Sequence, residues 1–233
     1  MMSPLLGVLG GMGPAATADF LAKLAAYTPA ARDQEHIATI VYSDPTTPDR
    51  SDAILNDGEN PLPAMFRGIA FLDEAGCDLI AIPCNTAHHW YDDLAAATTV
   101  PVVHIVDAVA AQVEREAPDT TVLGLMATDG TIQARIYEKV LTQSGRRVID
   151  LTDLGPDNPV MAGIRAVKAG ALDGARDILT AAARELAARG AQGLIYGCTD
   201  VSAVLDIPPD DVDVPAWDAA DALAISCVNR LRG

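Results

Sequence analysis

Two short segments built around a cysteine recur 114 residues apart, and nothing else in this chain of 233 residues restricts its fold as strongly. Cys84 follows the apolar run Leu79–Ile82 and has Thr86 two positions on. Cys198 follows Leu194–Tyr196 and is followed at once by Thr199. Val100-Pro101 with Asp107-Ala108 returns as Val214-Pro215 with Asp221-Ala222 at the same spacing. Near the start of each half, an apolar run leads into a loop of small residues and then a helical pattern, at Gly7–Pro14 and at Gly124–Thr131, 117 residues apart. These landmarks read as two similar lobes that arose by duplication. No Gly/Ser-rich linker separates them, so the expectation is of lobes packed tightly with a cleft between. The first lobe is assigned to residues 1–104 plus 217–233 and the second to 105–216.

The local pattern sets the fold class. Short runs with apolar centres predict strands at Leu5–Leu9, His36–Tyr42, Asp78–Pro83, Val100–His104, Thr121–Met126, Arg147–Asp150, Leu194–Tyr196 and Val214–Trp217. Helical periodicity separates them over Thr17–Ala26, Asn60–Ala75, Asn85–Ala97, Val109–Glu116, Thr131–Ser144, Asn158–Lys168, Leu172–Arg189 and Asp218–Leu231. Apolar strands alternating with helices predict an α/β protein with parallel sheets covered on both faces.

Composition narrows the function classes. Half of the residues are hydrophobic but only 4% are aromatic, so the core has to be built of Ala, Val, Leu and Ile. With 21% charged residues, this is a globular composition and not a disordered one. The 32 acidic residues outnumber 16 basic ones, for a net charge of −16. That argues against nucleic acid and against an anionic membrane surface as partners, because phosphate binding needs a basic face. The only lysines are Lys23, Lys139 and Lys168, so a cation in a pocket has a specific task. The start MMSPLLGVLGG lacks the basic region of a signal peptide, and no stretch approaches the ~20 apolar residues that span a bilayer. The expected location is cytoplasmic, where thiols stay reduced.

The four cysteines form no C-x-x-C pair, and no metal site is expected. Cys77 and Cys227 read as small buried hydrophobes. Cys84 and Cys198 end strands, and ligands of open parallel sheets bind beyond the carboxyl ends of the strands. A pseudo-twofold arrangement would direct both thiols into the cleft. A helix starts after each, and its N–H groups would favour a thiolate. Two thiols facing one small molecule are equipped for two-base proton transfer. One takes a proton from a carbon acid and the other delivers one to the opposite face. A free thiol pKa of about 8.5 puts both protonation states within reach. The competing arrangement is Cys84 with His88 as nucleophile and base, four residues apart. The preferred reading gives His88 a local structural role, His89 a helix surface, and His36 and His104 isolated strand positions.

Gly10-Gly11-Met12-Gly13-Pro14 with Ala16-Thr17, Pro48-Asp49-Arg50-Ser51, Cys84-Asn85-Thr86-Ala87-His88, Ala127-Thr128 with Gly130-Thr131, and Gly197-Cys198-Thr199 follow one another in a specific order. Over nearly the whole chain this resembles the aspartate/glutamate racemase family, and the GGMGP and CNTAH elements resemble its aspartate racemase branch. The resemblance implies two Rossmann-like lobes of pseudo-twofold symmetry, a homodimer, and an amino-acid racemase independent of pyridoxal phosphate, with no cofactor. It implies Cys84 and Cys198 as the catalytic acid and base. Met12, Asp49, Ser51, Asn85, Thr86, Ala87, Thr128 and Thr199 then belong to the substrate site, where amides, hydroxyls and helix-start N–H groups suit an α-carboxylate. Arg50 matches the arginine that holds a distal carboxylate, which a guanidinium grips bidentately. Lys168, in IRAVKAG, resembles a substrate-binding lysine. The pattern departs at Asp200, where the family usually has Glu, at Ser51, where Thr is common, and at Leu223, where a His is expected. The expected substrate is aspartate. Glutamate or a broader set of amino acids is the alternative inside the family, and a cysteine hydrolase or a two-lobed binding protein the alternatives outside it.

Overall fold

The apolar runs pair into two parallel sheets, one in each of the two units into which the chain divides. The computed structural model describes residues 4–209 and 211–233. One unit comprises Met1–Ala108 with Ala220–Gly233, the other Val109–Ala219.

In the first unit, β1 (Leu5–Gly10) lies between β2 (Ala38–Ser43) and β3 (Leu79–Ala81). Gly7 pairs with Ile40 on one side and Ile80 on the other. Leu9, Ile80 and Ile82 are fully or almost fully buried, and Met65, Ile69 and Leu72 of the helix Leu62–Glu74 close the same core. Pro14 opens the helix Pro14–Tyr27, where the missing N–H of proline removes no helical bond. The loop between β1 and that helix needs glycine at position 11. Its φ is +89°, and a Cβ there would sit 2.4 Å from the backbone nitrogen of Asp44.

The second unit repeats the order. Here β4 (Val122–Met126) lies between β5 (Arg147–Ile149) and β6 (Gly193–Tyr196), and β7 (Ala216–Asp218) adds to β6. The repeat extends to the register. Ile80 bridges Val102 in the first unit and Leu194 pairs with Ala216 in the second, each residue displaced by 114. Aliphatic side chains fill this core too, among them Leu179, Ala182, Ala183 and Leu186 of the helix Leu172–Ala188.

Three expected elements differ. The strand expected at Val100–His104 is a single bridge at Val102, and the helix Ile105–Glu116 begins just past His104. The helix expected over Thr131–Ser144 is broken at Arg135, whose φ of 54° is left-handed. The helix expected over Asn85–Ala97 starts as a 3₁₀ segment, Thr86–Trp90, before Tyr91–Ala96 turns α-helical. Its cause is local. The Cys84 carbonyl, which an α-helical bond from the His88 N–H would use, is 2.9 Å from the His88 ring Nδ1, and the His88 N–H donates to Asn85 instead.

The helix Pro159–Lys168 is started by Asn158, whose side chain accepts from the Met161 N–H at 3.0 Å. It packs on the helix Leu172–Ala188 through Gly163, where a Cβ would lie 2.4 Å from Leu179 Cγ. Leu179 is fully buried and has nowhere to move. Alanine normally favours a helix over glycine by about 1 kcal/mol. At this position overpacking reverses the sign, and Gly163→Ala lowers stability by about 1–3 kcal/mol in urea unfolding. An unchanged or higher midpoint shows that the helix pair is not held this closely.

Candidate active site

β3 has no exposed residue, and the chain first becomes half-buried just beyond it, at Cys84. The Cys84 N–H donates to the Ile82 carbonyl at 2.8 Å, which folds the chain away from the sheet. Asn85, Thr86, Ala87 and His88 behind it are all buried. His88 holds the turn from inside. Its Nδ1 is 2.9 Å from the Cys84 carbonyl, and its Nε2 is 3.4 Å from that of Val103. Burial, and then the neighbouring His104, pull the His88 pKa down to about 4, against the two carbonyls that favour its charged form. It is therefore a neutral ring at pH 7, and both of these contacts are to carbonyl oxygens. That matches the structural role expected for it and does not build a thiol–imidazole pair. His104 is neither isolated nor in a strand. It packs edge-on to His88 and Tyr91, with ring centroids 5.2 and 4.4 Å away, beside Asp107.

The loop after β1 lies in the same unit as this turn. The Gly11 N–H donates to Thr17 Oγ1 at 2.9 Å, and Thr17 Oγ1 donates to the Gly13 carbonyl. Arg50 is bound to that loop. Its Nη2 donates to the Met12 carbonyl at 3.2 Å, and its Nη1 donates to the carbonyls of Thr47 and Pro48 at 3.2 and 3.0 Å. The Arg50 Nε–H is buried and has no protein partner. Arg50 opens a short helix, Arg50–Leu55, that the sequence reading left out. Asp49 caps it by accepting from the Asp52 N–H at 2.9 Å.

In the second unit, β6 is likewise fully buried and leads through Gly197 to the half-buried Cys198. The Gly197 N–H donates to the Met126 carbonyl at 2.9 Å, so this turn is pinned to the end of β4. Cys198 caps a helix of one turn, Thr199–Ser202. The expected preference for a thiolate does not hold here. Burial, and then the carboxylate of Asp200, push the Cys198 thiol up to about 12. The backbone N–H of Asp200 and the ammonium of Lys168 only partly oppose them. Cys198 Sγ is 3.6 Å from Asp200 Oδ2, and that oxygen is 3.9 Å from Lys168 Nζ. Thr128 caps the helix Asp129–Gln133, with its hydroxyl 3.0 Å from that of Thr131. Asp129 in turn accepts from Asn158 Nδ2, which ties the start of the Lys168 helix to the end of β4.

The sequence-derived site residues therefore play unequal parts. In the first unit, Arg50 and the Met12 carbonyl meet directly. The Met12 side chain and Ala87 are buried in the core, Asp49 faces its own helix start, and Ser51 is half-buried in the helix that Arg50 opens. In the second unit, Cys198, Thr199 and Lys168 gather around Asp200, a residue that had stood out only as shorter than the expected Glu. Tyr137 was missed. It is buried, and burial, then the charges of Asp218 and Cys198, push its phenol well above its ordinary range. No local pattern marks it, because Cys198 lies 61 residues further along the chain. Leu223, at the place of the expected His, is fully buried in the last helix. Cys77 and Cys227 are buried, as expected. Among the described residues no group of three His, Cys, Asp or Glu side chains could hold a metal ion, and no helix is long and apolar enough to cross a membrane.

The profile of the Asp/Glu/hydantoin racemase family matches residues 9–227. A broad specificity amino-acid racemase of Bacillus subtilis (strain 168), RacX, is 33% identical over 229 residues, covering 97% of each chain. The structure of an aspartate racemase from Picrophilus torridus superposes with a TM-score of 0.87 at 27% identity, over 98% of this chain and 94% of that one. An aspartate racemase homologue from Pyrococcus horikoshii OT3 covers the whole of both chains with a TM-score of 0.79. At 24% identity it speaks for the fold alone.

The buried His88 makes stability depend on pH. Unfolded, the ring takes up its proton near pH 6.5; in the fold it does so only near 4. Between these values the unfolded chain binds more protons, so stability is full above about pH 6.5 and falls as pH drops toward 4. The loss amounts to about 3 kcal/mol. Denaturant midpoints across this range should show the slope in the wild type and a flatter one in His88→Gln. Equal slopes in the two proteins refute the assignment.

Proposed function

The chain belongs to the Asp/Glu/hydantoin racemase family, and on that premise we propose that it interconverts L- and D-aspartate by α-proton transfer between Cys84 and Cys198. The observation that carries the reading is the equivalence of the two thiols. Each follows the fully buried strand that pairs with the central strand of its unit, 114 residues apart, and each is half-buried while the other two cysteines are buried. An α-proton is far less acidic than a thiol, so the site has to stabilise the carbanion with aimed donors and exclude water. Asn85, Thr86, Thr128 and Thr199 supply such donors for the α-carboxylate. Proton removal by one thiolate and delivery by the other thiol, on the opposite face of the α-carbon, inverts the centre. Both thiols then end with their protonation states exchanged.

The choice of aspartate rests on Arg50. Its Nη1 and Nη2 donate to carbonyls, and its buried Nε–H has no partner in the protein. The Nε–H is one of the two donors of the side-on edge by which a guanidinium takes a carboxylate bidentately. In a chain of net charge −16, a second substrate carboxylate needs such a partner. The similarity to a broad specificity racemase favours a second reading, in which Arg50 serves only to hold the loops of Met12 and Thr47.

Two experiments test this. In deuterium oxide, the wild type should exchange the α-proton of aspartate with loss of chirality, and Ser at either Cys84 or Cys198 should abolish racemisation while the protein stays folded. Near-normal racemisation by Cys198→Ser refutes the two-thiol scheme. For Arg50→Ala, kcat/KM on aspartate should fall about 30-fold or more, since truncating one partner of a desolvated charge pair costs roughly 2–5 kcal/mol. A neutral amino acid should be affected much less, and Arg50→Lys should rescue only in part. Equal losses on aspartate and on a neutral amino acid favour the broad-specificity reading.

A further inference from the structure

The two thiols occupy equivalent places in their units but not equivalent surroundings. Asp200 Oδ2 stands between Cys198 Sγ, at 3.6 Å, and Lys168 Nζ, at 3.9 Å. A carboxylate can only accept, so the thiol must be the donor in this contact. A thiolate in the same place would set two anions against each other. We propose that Asp200 is a positioning residue that keeps the proton on Cys198 in the free protein, so that the first half of a turnover begins with Cys84 as base and Cys198 as acid. The proposal rests on the two-thiol reading above. In that step the Cys84 thiolate takes the α-proton. Cys198 then gives its S–H proton to the opposite face of the carbon, leaving a thiolate beside Asp200. That product form is the less stable one, and Lys168 keeps it reachable.

The charges around Cys198 are consistent with this. Besides Asp200 and Lys168, the buried Tyr137 interacts electrostatically with Cys198, and burial and Asp218 hold its phenol neutral. Burial and the Asp200 carboxylate both act to hold the Cys198 proton, and Lys168 acts against them. The Asp200 side chain stays within reach of the sulfur two residues back.

The test is a thiol titration that needs no turnover. The folded protein is treated with iodoacetamide from neutral to alkaline pH, and alkylation of Cys198 and Cys84 is followed separately by peptide mass spectrometry. Asp200→Asn should move the onset of Cys198 alkylation to lower pH by about 1–3 units, the usual effect of removing a like charge at this range. Lys168→Met should move it the opposite way. Asp200→Glu should stay nearer the wild type than Asp200→Asn does. The Cys84 profile should hold its place in all three and serves as the internal standard. A Cys198 profile in Asp200→Asn that superimposes on the wild type overturns the proposal, as does a shift of the same sign in Asp200→Asn and Lys168→Met. If the shifts are seen but Cys198→Ser still racemises, the electrostatic assignment stands and the two-thiol reading is what has failed.

Discussion

A strand buried on both faces can offer a functional group only where its ladder ends. β3 and β6 have no exposed residue, so the first positions able to meet a ligand are those just past them, and both carry a cysteine. The turns there are not free to wander. Cys84 is folded back onto Ile82, and Gly197 is bonded to the end of β4. The loops after the central strands are held in the same manner, by Thr17 on Gly11 and by the Thr128 cap. The half-buried cysteine of each unit thereby lies past the end of one strand, where ligands of open parallel sheets bind.

The two thiols hold equivalent places 114 residues apart and have unlike surroundings. Around Cys84, a neutral imidazole grips the backbone and shapes the turn into a 3₁₀ segment. Around Cys198, a carboxylate and an ammonium stand beside the sulfur itself. A racemase must run its reaction in both directions, yet its two protonation forms need not be equally stable.

The scarcity of cations sharpens the contrast between two arginines. Arg146 is buried and consumed by the fold. It is bound to the Glu114 carboxylate and donates to the carbonyls of Thr120 and Pro118. Arg50 is likewise bound to carbonyls, of Met12, Thr47 and Pro48, but its Nε–H is left over. A buried donor without a partner is costly to keep, which is a physical reason to look for a ligand oxygen there.

Much of this was legible from residue order alone. The apolar runs are nearly the strands that form, because burial on both faces leaves no other composition for a parallel strand. The 114-residue spacing even carries over into the pairing of Leu194 with Ala216. Cysteines at strand ends, and arginine and lysine in the loops and helix ends of an acidic chain, were visible as candidates in the same way. What residue order does not encode is which groups meet across long stretches of chain. Val100–His104 reads as a strand but forms one bridge, and Asn85–Ala97 reads as a helix until the His88 ring takes the carbonyl that an α-helix would use. The Arg50 side chain finds the Met12 carbonyl 38 residues away, and Lys168 comes beside Asp200 over 32. The sequence by itself determined the sheet class, the repeat and the pair of thiols, since these follow from periodicity and composition along the chain. Tertiary structure alone decided that one thiol lies against a carboxylate and the other on a histidine-held turn, because proton affinity is set by burial and by charges a few ångströms away in space.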